Sequence, residues 1–302
     1  MNSYLIIIRQ IIFMFVLMSV GFVLSKRKLI TSEGTRSLAN ILIYCSTPVI
    51  VITSYMGSFS IDKMKKLLIC FCLSVAVHLL FIFLAEAVFR IKNPLLKNAS
   101  VIPNSGFMGV PLISSVLGDE AVFYLSSFIA VNQLVIWTYC ISNFDPEYKV
   151  SYKKLFRTPI YYSILIGLFL FVTEISLPPI INQTLAGIKS LNTPLSMFVL
   201  GSYISRISFK KVFSDIRQIY PSVVCRLLLF PCFALLFLRF LPDSISDLKM
   251  ILMICASSPT AFNVAFFAEK YGGDVLRSTE AVCLSTILCV LSIPLFSYLI
   301  TL

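Results

Sequence analysis

Charged side chains are scarce in this chain of 302 residues. They make up 13% of the sequence, about half the share found in soluble domains, whereas hydrophobic residues make up 58%. The mean hydropathy is +0.92. A soluble globule of this length cannot bury so much apolar surface, and a disordered chain contains far less of it. The composition therefore predicts a polytopic membrane protein.

Residues for metal binding and catalysis are also sparse. The chain has one histidine, His78, and its nine cysteines lie in apolar segments without a CxxC pair. A structural zinc site needs clustered ligands, and an enzyme needs convergent catalytic groups. No HExxH motif, Gly-x-Ser-x-Gly motif or aspartate-rich pair is present. We therefore predict no metal, no cofactor and no enzymatic activity, while a channel or sensor with a transporter fold stays open.

Apolar stretches of about 20 residues, long enough to cross a bilayer as helices, recur along the whole chain. They predict an all-α protein of ten transmembrane helices. The predicted spans are 4–24, 36–56, 67–89, 99–117, 121–143, 159–177, 184–204, 218–240, 248–269 and 276–300.

The basic residues predict how these helices are oriented. The net charge is +11; the loops after the odd-numbered helices hold 17 lysines and arginines, and those on the other side hold 6. Cytoplasmic loops carry the excess of such residues, so the first set is predicted to lie inside and both termini outside. The positive charge is thus explained by topology in the cytoplasmic membrane, and no nucleic-acid partner is expected.

Helix-breaking residues recur at matching places in the two halves of the chain. The matched pairs are Thr47-Pro48 with Thr193-Pro194, Pro103 with Pro259, and Gly118-Asp119 with Gly273-Asp274. Since each half has five helices, the second enters the membrane from the opposite side, as in many secondary transporters. We predict a first repeat at 1–143, a short cytoplasmic linker at 144–158 and an inverted second repeat at 159–302.

The breaks in predicted helices 4 and 9 indicate a binding site. Two prolines and two glycines lie within the nine residues from Pro103 to Pro111, so helix 4 cannot be continuous. Backbone freed inside a membrane survives only where protein or a water-filled cavity covers it. If both helices break near the midplane, their N–H groups and positive ends suit a carboxylate. Asn104 can donate its amide to the same anion, with Thr260 and Asn263 as counterparts in helix 9.

The segment from Asn104 to Pro111 resembles the Asn-x-Gly-Phe-x-Gly-x-Pro signature of the auxin efflux carrier family, in its bacterial branch. That family lies within the bile acid/auxin/arsenite transporter superfamily. Residues 21–48, 194–201 and 271–294 are similar to it as well, so the resemblance covers nearly the whole chain.

The resemblance implies ten helices in two inverted repeats, with a scaffold part, a transport part and a substrate bound where helices 4 and 9 cross. It implies an organic anion as substrate, such as auxin in plants or malate and malonate in bacteria. Position 260 is threonine where the plant pattern has asparagine, which argues against an auxin-like substrate. The predicted substrate-binding residues are Thr47, Pro103, Asn104, Ser105, Gly106, Pro259, Thr260 and Asn263.

Two ionisable residues lie deep within predicted spans, where a charge costs about 2.5–3.5 kcal/mol. His78 is in helix 3 and Arg226 at a comparable depth in helix 8. Both are candidates for charge coupling, although packing of a neutral imidazole and a structural role of the arginine are the alternatives. Coupling to a proton, to sodium or to neither stays open, as does a homodimer. A sodium-coupled symporter of the bile-acid type is the alternative function. Asp119 and Asp274 are predicted to be helix N-caps.

Overall fold

A computed structural model describes residues 3–89, 93–208 and 216–302. Within those ranges the protein is helical and contains no β-sheet. The helices are α1 (Ser3–Lys26), α2 (Ser32–Ser54), α3 (Ile61–Val88), α4 (Pro94–Val101), α5 (Ser105–Leu117), α6 (Glu120–Phe144), α7 (Tyr152–Phe156), α8 (Pro159–Thr173), α9 (Pro179–Ser190), α10 (Asn192–Ile204), α11 (Arg217–Arg239), α12 (Ser246–Ser257), α13 (Asn263–Lys270) and α14 (Val275–Leu299).

Six helices in the described part of the chain are long and apolar enough to cross a membrane, namely α1, α2, α3, α6, α11 and α14. Two shorter helices, α5 and α8, are apolar as well. Large side chains such as Phe83, Leu165 and Leu291 are exposed on these helices, as expected where lipid replaces water. The protein is therefore a multi-pass membrane protein.

Three of the ten predicted spans are divided in two. Predicted helix 4 is α4 and α5, helix 7 is α9 and α10, and helix 9 is α12 and α13. The breaks in helices 4 and 9 were predicted, and the sequence places them correctly. The division of helix 7 falls at Leu191, so Pro194 lies in the first turn of α10. A proline is tolerated there because the first N–H groups of a helix have no intrahelical partner.

Proline also explains three of the four wide turns in the described helices; the fourth, Ile136–Cys140 in α6, is not followed by a proline within that helix. Five-residue π-helical turns at Leu42–Ser46, Ser105–Gly109 and Cys225–Leu229 each end two residues before a proline. These prolines are Pro48, Pro111 and Pro231. The proline ring clashes with the carbonyl four residues before it, and a wider turn moves that carbonyl away. The helices therefore continue through these prolines without ending.

The two aspartates that follow Gly118 and Gly273 differ in role. Asp274 accepts a hydrogen bond from the backbone N–H of Arg277 at 3.0 Å, which confirms the predicted N-cap. Asp119 stands before α6 without capping it, so the cap prediction is wrong there. Its carboxylate binds Lys189 and Ser114 instead. Partial burial raises the pKa of Asp119, but these hydrogen bonds and the lysine charge outweigh burial and hold it below its usual value.

Helices α1 and α10 approach each other more closely than any side chain would allow. A Cβ atom on Gly201 would lie 2.0 Å from the carbonyl oxygen of Met18, and one on Gly21 would lie 2.5 Å from the Cα of Phe198. Small residues permit this backbone contact between membrane helices. The two glycines therefore fix the spacing of α1 and α10.

We expect Gly201→Ala to destabilise the protein by at least about 1–3 kcal/mol, because the added methyl group must push two backbones apart. The thermal melting temperature of the purified protein measures this. Gly187→Ala, on α9 where a Cβ would meet nothing within 4 Å, is the matched control and should leave the melting temperature unchanged or higher. Equal melting temperatures for the two variants would contradict the packing argument.

Candidate functional site

The breaks between α4 and α5 and between α12 and α13 meet and pair with each other. Pro103 and Thr260 form an antiparallel bridge. The N–H of Asn104 donates to the carbonyl of Pro259 at 2.8 Å, and the N–H of Ala261 donates to the carbonyl of Ile102 at 2.9 Å. Each broken helix thus supplies hydrogen-bond partners for backbone groups that lack one in the other. Such pairing is required because no water is present to bind them. We call this meeting point the crossover (residues 102–105 and 258–262).

Asn104 combines a structural contact with an unused donor. Its Oδ1 atom accepts a hydrogen bond from the N–H of Phe107 at 3.2 Å and so caps α5. Its Nδ2 atom has no hydrogen-bond partner among the residues that the structure describes, although Asn104 is buried. Gly106 lies two residues further along the chain. A Cβ atom added to it would meet no described atom within 4 Å. An unpaired amide donor and the N-terminus of α5 therefore lie next to a partly open place.

The second break has its polar groups occupied. Thr260 is fully buried; its Oγ1 donates to the carbonyl of Ala99 at 2.7 Å, and its N–H donates to the Oγ of Ser285 at 3.1 Å. Asn263 is the first residue of α13 and is partly exposed. The two halves of the crossover are thus chemically unequal, with the unused donor on the side of Asn104.

Arg226 lies behind the crossover and is fully buried. Its Nη1 donates to the carbonyls of Ser100 at 3.0 Å and Val101 at 3.2 Å, and its Nη2 donates to the carbonyl of Ala256. These are the last carbonyls of α4 and α12, which carry the partial negative charge of a helix C-terminus. One cation from α11 thus neutralises the C-terminal ends of both half-helices.

His78 is connected to the crossover through a residue that the sequence analysis missed. Its Nε2 lies 3.3 Å from Oδ1 of Asn132, and its Nδ1 lies 2.8 Å from the carbonyl of Ser74. The Nδ2 of Asn132 donates to the carbonyl of Pro103 at 3.1 Å and to the Oγ of Ser105 at 3.2 Å. An asparagine inside an apolar helix was a visible signal, but its partners are 54 and 29 residues away in the sequence.

Aromatic side chains separate the crossover from α10. Phe262 stacks on Tyr203 with ring centroids 4.0 Å apart, and Phe107 and Tyr203 both pack against the buried cluster of Ala39, Leu42 and Val199. Both half-helix N-termini therefore border α10.

The structure brings most of the predicted site residues together, because Pro103, Asn104, Ser105, Pro259 and Thr260 all lie in the crossover. Thr47 is an exception. Its Oγ1 accepts a hydrogen bond from Asn192 of α10 at 3.2 Å, and it makes no hydrogen bond to the crossover within the described ranges.

These features define a helical membrane protein with two broken helices that cross, and comparison with known proteins assigns it to a family. The sequence model described as "Membrane transport protein" matches residues 6–149 and 144–297. The chain therefore belongs to this family of transporters, which confirms the resemblance to the auxin efflux carriers. It is also 23% identical to an uncharacterized transporter of Methanocaldococcus jannaschii, over 96% of this chain and 97% of the relative.

We expect Arg226→Met to lower the free energy of unfolding by at least about 2 kcal/mol, since three buried carbonyls lose a charged donor. Arg226→Lys should restore part of the loss. Arg239→Met is the matched control, because this exposed arginine of the same helix donates to one carbonyl, that of Leu299. Melting temperatures measure all three variants. A stable Arg226→Met protein would show that the half-helix ends do not need the cation.

Proposed function

We propose that this protein is a secondary transporter that moves a small organic anion across the cytoplasmic membrane by alternating access. A mono- or dicarboxylate such as malate or malonate is the substrate class that fits. The observation that carries the proposal is the unpaired Nδ2 of Asn104 beside the N-terminus of α5.

The electrostatics of the crossover favour an anion. Helices α5 and α13 both begin there, and a helix N-terminus carries a partial positive charge and free N–H groups. Helices α4 and α12 end there, but Arg226 already binds their terminal carbonyls. Among the described residues, the start of α5 is capped by the neutral amide oxygen of Asn104, and no carboxylate accepts from the first N–H groups of α5 or α13. A carboxylate accepts from both the N–H groups and the Asn104 amide.

We further propose that the chain is built of ten transmembrane helices in two inverted repeats, 1–143 and 159–302, with both termini outside. One observation supports this arrangement: the broken helices α4–α5 and α12–α13 hold equivalent places in the two halves. A pseudo-twofold arrangement of this kind places the substrate at the interface of the repeats.

In this proposal, transport is a movement of the crossover against α10. The stacked rings of Tyr203 and Phe262 lie at that boundary, and separating them opens a path to the N-termini of α5 and α13. A sodium-coupled symporter of the bile-acid type is the second candidate. Dependence of uptake on sodium distinguishes the two.

We expect Asn104→Asp to reduce transport strongly while keeping the fold. The new carboxylate can still accept the N–H of Phe107, but it removes the amide donor and repels an anion. Uptake of labelled malate and malonate into proteoliposomes should fall about 10-fold or more, as expected for a lost hydrogen bond to a charged group.

The matched control is Asn182→Asp at the exposed start of α9, which adds the same charge away from the crossover and should transport normally. Melting temperatures with and without each carboxylate test binding separately, since a ligand of the folded state raises the melting temperature. Normal uptake by the Asn104→Asp variant would contradict the site assignment.

A further inference from the structure

Five buried groups form a continuous series of hydrogen bonds from α3 to the crossover. It runs from the carbonyl of Ser74 through the imidazole of His78 and the amide of Asn132 to Pro103 and Ser105. His78 is 1% exposed and Asn132 is 5% exposed. Pro103 and Ser105, where this series of hydrogen bonds ends, flank Asn104. The imidazole is therefore two hydrogen bonds away from the proposed anion site.

The orientation of each group in this chain is determined by its partners. The carbonyl of Pro103 can only accept, so the nitrogen of the Asn132 amide must face it and the amide oxygen must face His78. The carbonyl of Ser74 can also only accept. Both ring nitrogens of His78 therefore face acceptors. A neutral imidazole donates one hydrogen bond, whereas an imidazolium donates two. This pocket satisfies both ring nitrogens only when the ring is protonated.

The surrounding charges oppose protonation of the empty site. The charged group facing His78 is Arg226 of α11, whose guanidinium lies 4.8 Å from the ring centre of Phe81, one turn along α3 from His78. From helix α6, the neutral side chains of Asn132 and Phe128 contact His78. The ring centres of Phe128 and His78 are 4.6 Å apart.

Other charged residues near α3 are already paired. Lys97 of α4 binds Glu86 at 2.5 Å, and Asp247 of α12 binds Lys66 at 2.9 Å, near opposite ends of α3. Among the described residues, no ion pair joins a carboxylate to His78 or Arg226. A second buried cation beside Arg226 is costly without an anion. The site thus has the geometry for an imidazolium but lacks the negative charge to stabilise it.

We infer that an anion at the crossover and a proton on His78 bind together, and that Asn132 transmits this coupling. This rests on the proposed function and names its coupling ion. The anion supplies the missing negative charge, His78 takes one proton from water, and the imidazolium donates to Asn132 Oδ1 and to the Ser74 carbonyl. The Asn132 amide, polarised by that bond, holds Pro103 and Ser105 on either side of Asn104. Since coupling is reciprocal, the proton strengthens anion binding by the same factor.

The single histidine allows a direct test. In protein without a histidine tag and labelled with ¹⁵N-histidine, the two ring nitrogens of His78 report protonation without overlap from another residue. We expect the ring to be less protonated without ligand than with it at each pH from about 8 to about 5. Saturating malonate or malate should raise the ratio of imidazolium to neutral ring by about 10-fold or more, and the affinity for the anion should increase equally on acidification.

Three variants separate coupling from a merely structural role. His78→Gln should bind malonate with an affinity whose pH dependence follows the ionisation of malonate alone. Asn132→Leu should keep a titrating histidine, but malonate should no longer change the imidazolium ratio. Gln133→Ala, which removes the neighbouring amide on α6, is the control and should behave as wild type.

The outcomes distinguish the coupling from the proposed function. If malonate or malate binds while the His78 signals stay unchanged, the coupling is wrong and the proposed function stands. If neither anion binds at any pH, the proposed function fails and the coupling fails with it. Should His78→Gln or Asn132→Leu not fold, the wild-type spectra alone decide. A His78→Gln protein with the pH dependence of the wild type would overturn the inference.

Discussion

The pairing of two interrupted helices across the crossover is the interaction on which the remaining structure depends. In a medium without water, each unpaired N–H or carbonyl costs several kcal/mol, so neither α4–α5 nor α12–α13 could break alone. The bridge between Pro103 and Thr260 resolves both breaks with two backbone hydrogen bonds. Every other polar contact nearby completes this arrangement: Asn104 caps α5, and Thr260 binds the end of α4.

The crossover also creates a separation of charge within an apolar environment. Helix beginnings and helix ends meet within a few residues, and the protein treats them differently. A guanidinium binds the ends, whereas the beginning of α5 is capped only by the neutral oxygen of Asn104, whose amide nitrogen is unpaired among the described residues. This asymmetry, more than any single residue, is the physical basis for proposing an anion. It also explains why the charge of Arg226 can be buried within the membrane, where an unpaired charge is energetically costly.

How much of this was predictable depends on how far apart the interacting residues lie in the sequence. Prolines and glycines act on their own turn, so the breaks at Pro103 and Pro259 followed from the sequence, as did the Asp274 cap. The family signature pointed to Asn104 as a substrate-binding residue, which stays a prediction. The roles of Asn132, Tyr203 and Lys189 depend on partners many residues away, and no local pattern indicates them. The prediction that Asp119 caps α6 was wrong for the same reason: its carboxylate forms an ion pair with Lys189, which is distant in the sequence.

The contacts of Arg226 have a mechanical consequence. One guanidinium from α11 holds the last turns of α4 and α12, and it makes these hydrogen bonds where no water can replace them. Sliding any of the three helices past the others leaves a buried charge or buried carbonyls without partners. We therefore expect the contacting turns of the three helices to move together. In the proposed transport cycle, the boundary that opens lies instead at the stacked rings of Tyr203 and Phe262, whose contact is apolar.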